Sequence, residues 1–437
     1  MLRSSSPDQV IDHNVDDESS DLLTWLRRKS GAEISSVLSI GSSNYGRSLF
    51  ACKPIKAGDV ILKVPFRAVL AADNLDPSIH PLLGKNVHGI TKLALTILQH
   101  QRLGQASEWA PYISCLPRIE DMHSTIFWSV EELQMIKMSS LYEETLRKKA
   151  YIEKYFSSIK HVLDRFPEYF EAESRSWTGP RGASMLIAAK DYAPGDEVLV
   201  RYGKLPNPSL LLIFGFVIPH NKYEQAIIEI NTPKHDPLLA LKMDLWDRHQ
   251  IQSLLRSLEL GITLEETSSG DEGGIPESLR AHARILCCTS RQELRYLAQE
   301  AAENDGSLAR IPLKNRNKEL KAHRLLRLRS IQMIENHHAA LESMNHLSSG
   351  IDTRRMQIAR DLLTGELRAL ESASAWLKNY CETLSVNASL FELQTKQLKS
   401  RVCTGATSIR YFFFLSFSCI SFDFCISVCL YLLDLDI

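Results

Sequence analysis

Apolar positions recur along this chain with two different periods. Ile34 to Ile40, Arg47 to Cys52 and Gly58 to Val64 are short blocks of β-branched and apolar residues. The turn formers Gly41-Ser42-Ser43-Asn44 and Lys56-Ala57-Gly58-Asp59 separate them, which predicts three strands joined by tight turns. Ahead of them, Asp21 to Lys29 starts on an acid, ends on three bases and places Leu22, Leu23, Trp25 and Leu26 inside, so it predicts a short amphipathic helix. His88 to Leu103 carries the stripe Leu93, Ala94, Ile97 and Leu98 and predicts a helix. Glu131 to Phe170 reads as largely helical and highly charged. Past Pro276 the helical period takes over, with helices expected at 276–286, 291–304, 318–341 and 353–384. In the last of these, Ile358, Leu362, Leu370 and Trp376 form much of the buried stripe.

Between these regions lies the run DYAPGDEVLVRYGKLPNPSLLLIFGFVIPHN, from Asp191 to Asn221. Pro194-Gly195-Asp196 is a turn signal. Glu197 to Tyr202 alternates, with Val198, Val200 and Tyr202 on one face, as a half-buried strand does. Gly203 ends it, Leu205-Pro206-Asn207-Pro208 carries a loop, and Ser209 to Phe216 is almost wholly apolar. Taken by itself the run is a strand, turn and helix of an α+β core, with Tyr202 a core tyrosine.

Composition bounds these readings. The 437 residues exceed one ordinary core, so two or three domains are expected. A formal net charge of -1 gives no electrostatic reason to expect a nucleic-acid partner. The nine cysteines fall in no CxxC or Cys/His spacing, so no metal site is expected, and reduced thiols are the simpler reading. Residues 1–20 are Ser- and Asp-rich without an apolar stretch, which predicts a disordered leader and argues against a secretory signal and, less firmly, a transit peptide. Cytoplasm or nucleus is the expected compartment, with the chloroplast open.

The order of motifs in Asp191–Asn221, a GDEV-type strand, a Tyr-Gly pair, an Asn-containing loop and a Leu-rich segment ending in Gly-Phe, resembles the C-terminal half of a SET domain. It is closest to the plant Rubisco-methyltransferase-like class. Asn44-Tyr45-Gly46-Arg47-Ser48-Leu49-Phe50-Ala51 resembles the opening SET motif, with Ser48 in place of its second glycine. Glu108 to Ile113 and Leu116-Pro117 resemble the class's helical insert, and Ser174-Arg175-Ser176-Trp177 its Ser-Arg element. The fold this implies is α+β: a SET-type β-fold over 21–221 with a helical insert at about 85–170, then an all-helical substrate-binding domain over 222–400. The implied reaction is methyl transfer from S-adenosylmethionine to a side-chain nitrogen of a protein substrate, lysine by default and histidine as an open alternative.

The resemblance assigns Tyr202 to catalysis at the mouth of the transfer channel. It places Gly46, Arg47, Ser48, Arg175, Tyr202 and Phe216 against the cofactor, with Phe216 stacking on adenine. Phe214 stands where the class has a second tyrosine. After Ile187 the class runs through a Pro-x-x-Asp and an Asn-His pair that holds the adenosyl group; here Ala188-Ala189-Lys190-Asp191 follows at once. Such a loss is expected to leave neighbouring backbone groups unpaired, at roughly 1–3 kcal/mol for each buried group. The Asn-His pairs at Asn336-His337 and Asn345-His346 lie in helical sequence and are expected at the surface. The absence gives a second functional reading, a non-catalytic protein-binding module from a truncated or spliced SET protein.

In the helical half, Arg280-Ala281-His282-Ala283-Arg284 resembles the class's Arg-x-x-Ala-Arg element. The basic run Lys314, Arg316, Lys318, Lys321, Arg324, Arg327 and Arg329 is read as a solvated face in preference to a surface for an acidic substrate. Glu265 to Gly274 reads as a polar linker. Tyr411 to Leu433 is long enough to span a bilayer, with Asp423 near its middle, but its Phe, Ser, Cys and Ile richness favours an alternative-transcript tail; membrane contact is expected only if it is an anchor.

Overall fold

The computed structural model describes residues 17–31, 35–43, 46–84, 87, 89–166, 184–200, 202–228, 230, 235–248, 261–263, 275–303, 308, 313–346 and 352–401. Residues 1–16 of the expected leader, the Ser174–Trp177 element, the 265–274 linker and the 411–433 tail lie outside them, while Asp17 to Ser20, expected in the leader, belong to the first helix. Contacts divide the chain into two compact units: one holds Met1–Asp121 and Ala150–Gly203, the other Met122–Lys149 and Lys204–Ser418.

In the first unit, α1 (Asp17–Ser30) precedes β1 (Leu38–Ser43), β2 (Gly46–Ala51) and β3 (Val60–Val64). β1 and β2 pair antiparallel from Leu38↔Ala51 to Ser43↔Gly46, so Gly41, Ser42 and Ser43, expected in a turn, are paired strand residues, and Asn44 lies outside the described residues. β3 pairs antiparallel with β4 (Ser184–Ile187), and β2 with β5 (Glu197–Val198). One face of these ladders closes on Ala51, Ile55, Ile61, Ala188, Tyr192 and Val198. The helices α2 (Gly89–Leu103) and α3 (Ala110–Ile113) add a second core around Leu70, Leu93, Ile97 and Trp109. Trp25 of α1 meets Trp109 edge-on at 5.4 Å, and Lys29 sits 3.9 Å over the Trp109 ring while bonding Glu108 at 2.7 Å. That explains why the short first helix carries both a tryptophan and a terminal lysine: one packs, the other caps the packed ring with its charge.

The second unit holds α4 (Val130–Gln134), the start of α5 (Ser140–Arg165), α6 (Asn207–Phe214), β6 (Gln225–Ile227), α7 (Leu239–Arg248) and β7 (Gly261–Thr263). Four long helices follow: α8 (Glu277–Leu286), α9 (Arg291–Glu303), α10 (Arg316–Ser343) and α11 (Thr353–Arg401). Ser129 caps α4 through Glu132, the reciprocal box that the Ser-x-x-Glu spacing encodes. Ile358, Leu362 and Leu370 are buried as their spacing predicts, Ile358 and Leu362 in one core and Leu370 in another, against which Trp376 packs.

One expected element is much shorter. The strand predicted from Glu197 to Tyr202 pairs only at Glu197 and Val198. Leu199, Val200 and Tyr202 are 66%, 43% and 40% exposed. Alternation makes a strand only where one face meets a core; past Val198 no described layer covers these side chains.

Candidate functional site

The first candidate group lies on β2. Gly46, Arg47 and Ser48 stand opposite Ser43, Ser42 and Gly41 of β1. Ser48 is an ordinary half-buried strand residue, so no left-handed backbone is asked of it. On the other edge of β2, β5 covers only Leu49 and Phe50. The backbone edge from Gly46 to Ser48 therefore has no strand partner among the described residues.

Tyr202 belongs to the loop after β5 rather than to the strand, and Gly203 follows it at φ +92°. A residue with a Cβ is strained there, so Gly203 fixes the turn directly behind the tyrosine. Arg175 lies outside the described residues.

The junction after Ile187 is closed. Ala188 donates its N–H to Asp59 O at 2.9 Å and accepts from Gly58 N–H at 2.9 Å. Tyr192 and Ile55 exchange both bonds, at 2.9 and 3.0 Å, and Ala51 bonds Gly195 and Asp196. Asp191 accepts from Lys56 Nζ at 2.8 Å and from Ala57 N–H at 2.9 Å. Ala188, Tyr192, Gly195 and Asp196, expected to be left unpaired, are thus bonded to the segment from Ala51 to Asp59. What stays uncovered is apolar: the cross-strand pair Val60 and Ile187 is 53% and 56% exposed.

The second candidate group is built on α6. Gly215 ends this helix at φ +78°, and its Cα lies so close to the Ser124 backbone that an added Cβ would meet Ser124 N at 2.7 Å. Ser124 Oγ also donates to Leu212 O at 2.6 Å. Phe216 comes just after this junction, half-buried, its ring 6.2 Å from that of Phe214. Asn207 straps the following loop to the helix: its side chain donates to Ile218 O and accepts from Ile218 N–H at 2.8 Å, and also donates to Glu224 at 2.7 Å. Burial, with the Glu366 charge adding to it, pushes the Glu224 carboxyl up to about 7.

The helical unit holds further buried polar groups that sequence reasoning missed. Arg284, from the Arg-x-x-Ala-Arg element, makes a two-point contact with Glu319 at 2.9 and 2.6 Å, both side chains fully buried. His323 stacks near Tyr380 at 4.5 Å, and Tyr380 Oη donates to Glu319 at 3.4 Å. His337 corrects an expectation: it is buried, not at the surface, with Nε2 3.1 Å from Glu366 Oε2. Packing of α10 against α11 turns its face inward, which an Asn-His dipeptide in helical sequence does not reveal. From sequence, the only signal for these groups is a charge or histidine falling on an otherwise apolar stripe. The basic run is in part internally paired: Lys314 with Glu303 at 2.7 Å, Lys318 with Glu293 at 3.5 Å, and Lys321 with the Cys287 carbonyl at 3.2 Å.

Residues 233–370 match the family model for Rubisco LSMT substrate-binding. The solved structure of Rubisco LSMT bound to AdoMet superposes with a TM-score of 0.64 at 18% identity, covering 85% of this chain and 93% of that one. A crystal structure of the SET domain of LSMT bound to MeLysine and AdoHcy gives 0.64 at 18%, over 90% and 98%. The chain shares the fold of these LSMT structures. The α+β SET architecture with a helical C-terminal region follows from the same match. Among curated proteins, the chain is 25% identical over 281 residues to a chloroplastic [fructose-bisphosphate aldolase]-lysine N-methyltransferase of Arabidopsis thaliana, covering 52% of this chain and 58% of that protein. It is 23% identical over 348 residues to the actin-histidine N-methyltransferase of Mus musculus, covering 67% and 56%. The chain thus spans somewhat more than half the length of these relatives. Among the described residues, no helix is long and apolar enough to cross a membrane, and no cluster of His, Cys, Asp and Glu is placed to hold a metal.

Proposed function

We propose that this chain is an S-adenosylmethionine-dependent protein methyltransferase acting on a side-chain nitrogen, lysine first and histidine as the alternative acceptor. One observation carries the reading: the chain shares the LSMT-type SET fold over most of its length, and sequence relatives of that fold are lysine and histidine N-methyltransferases. Residues 21–221 are assigned to the catalytic region, with its helical insert at about 85–170, and 222–400 to holding a protein substrate. The cytoplasm or nucleus is the proposed compartment, with the chloroplast as alternative.

S-adenosylmethionine, when bound, supplies an electrophilic methyl group on a sulfonium. By resemblance, Gly46, Arg47 and Ser48, on an edge without a strand partner among the described residues, are assigned to its methionine end and Phe216 to its adenine. Arg175 is assigned beside the cofactor by resemblance alone. The Tyr202 hydroxyl holds and orients the incoming neutral amine, a gain of proximity and alignment. The sequence after Ile187 runs straight into Ala188-Ala189-Lys190-Asp191, without the Asn-His pair.

That gap supports a second reading, a protein-binding module without methyl transfer. The closed junction after Ile187 favours it, since the backbone from Ala188 to Asp196 is taken up by Ala51, Ile55, Gly58 and Asp59. Transfer of labelled methyl groups to proteins of a lysate separates the two. Labelling that Tyr202→Phe abolishes supports the enzyme; no labelling by the native chain supports the module.

A further inference from the structure

Arg280 of α8 makes no hydrogen bond and no ion pair with any described residue, and its Nε is shut off from solvent. It lies one helical turn before Arg284, on the same face. Among the described residues, Glu319 is the one carboxylate within bonding distance of either guanidinium, and it is taken up at two points by Arg284. Glu277, Tyr380 and Glu319 bear on Arg280 electrostatically without reaching bonding distance. His323 is wholly buried and its Nε2 also lacks a partner, while its Nδ1 faces the Glu319 carbonyl at 2.9 Å. Trp376 stacks on Tyr380 at 4.9 Å, and both are half-buried at the same place.

Desolvated cations in folded proteins are matched by anions, because burying an unpaired charge is costly. Arg284 shows what this cluster matches: a carboxylate, gripped by the planar fork of a guanidinium. Arg280 has the same chemistry and no carboxylate. We propose that Arg280 is an anchor for a carboxylate side chain of a partner protein, an Asp or Glu whose stem lies against the Trp376–Tyr380 stack. This deepens the reading of residues 222–400 as a substrate-holding region and rests on it. It does not depend on cofactor binding or methyl transfer.

The test uses the full-length chain without cofactor, and fluorescence anisotropy of a labelled peptide alternating glycine and glutamate, with the glutamine peptide as its neutral twin. The glutamate peptide is expected to bind and the glutamine peptide to bind at least about tenfold more weakly, the scale of a lost charge-assisted hydrogen bond. Arg280→Gln is expected to lose the same factor, Arg280→Lys part of it, and Arg295→Gln on the exposed face of α9 none. Thermal melting adds an independent readout: Arg280→Gln should melt no lower than the native chain, since the arginine has no partner to lose. Equal binding of both peptides, full binding by Arg280→Gln, or a clearly lowered melting temperature would each overturn the proposal. Inorganic phosphate displacing the peptide at lower concentration than acetate would overturn the choice of a carboxylate. A glutamate peptide that binds through Arg280 while no methyl transfer occurs would leave this site standing and count against the enzymatic reading.

Discussion

His337 and Glu366 are hydrogen-bonded in the core of the helical unit. Nε2 lies 3.1 Å from Glu366 Oε2, and Nδ1 lies 2.8 Å from the Met333 carbonyl. Both ring nitrogens face acceptors, an arrangement that suits the imidazolium, which donates from both. Burial works against the charged ring, but the hydrogen bond and charge of Glu366 prevail and hold His337 above the ordinary histidine value of 6.5. Glu366 also accepts from Ser139 Oγ at 2.7 Å, so the pair ties α11 to the turn before α5. Replacing Glu366 by Leu leaves the histidine buried without its partner. Urea unfolding should show a loss of about 3–5 kcal/mol, larger below the histidine's raised pKa than above it. A loss that is equal on both sides would mean that the pair carries no shared charge.

Stability should peak near the ordinary histidine pKa. Burial holds His282 and His323 down at about 4, so the unfolded chain binds more protons than the folded one between about 4 and 6.5, and stability rises with pH there. Glu224, at about 7 against 4.5, binds more protons when folded and works the other way between those values. His337 adds loss above 6.5. Burial holds His100 down as well, so the rising histidines outweigh the one falling carboxyl on the acid side, and the falling groups Glu224 and His337 act on the other. Urea midpoints measured across pH should give this peak, and Glu224→Gln should flatten the decline above it. A midpoint that climbs steadily past neutral pH would contradict the buried, protonated Glu224.

Arg284 and Glu319 give a cycle with a definite sign. Arg284→Met strands a buried carboxylate and should cost about 3–5 kcal/mol. Adding Glu319→Leu should restore part of that, because two apolar side chains of similar size replace a desolvated pair. A double variant less stable than the single one, by urea unfolding, would show that the pair is worth more than its desolvation.

Gly365 sits on α11 directly against the Glu224 carboxylate, where an added methyl would collide with it. Alanine ordinarily improves an exposed helix interior by about 1 kcal/mol. Here Gly365→Ala should lower the melting temperature, and the loss should shrink in combination with Glu224→Ala, which clears the space. An unchanged or raised melting temperature for the single variant would show that the helix can back away.

Much of this was legible before any coordinates. The α2 stripe and the α8 to α11 periods followed from local pattern, because each element's burial repeats with its own geometry, whereas Gly41 to Ser43, expected as a turn, continue strand β1. The β5 strand was overread since alternation past Val198 has no described layer to face. The fate of the junction at Ile187 was not legible either: whether Ala188 and Tyr192 find partners depends on the hairpin from Ala51 to Asp59, more than a hundred positions upstream. His337 was misplaced for a similar reason, its neighbour Glu366 being 29 residues away on another helix. Asn207 was visible as a loop asparagine, but its role as the strap between α6 and Glu224 needed the fold. Of the assigned site residues, Ser48 turned out to need no special backbone, and Tyr202 stands on a loop fixed by Gly203.

The central claim is that this LSMT-type fold still holds S-adenosylmethionine although its Asn-His segment is missing. Isothermal titration of the full-length chain with S-adenosylmethionine tests it most directly. A saturable one-site isotherm in the micromolar range, weakened by Phe216→Ala, is the expected result. No heat of binding at high micromolar cofactor, from a chain that melts cooperatively, would contradict it and leave the protein-binding module as the function of this fold.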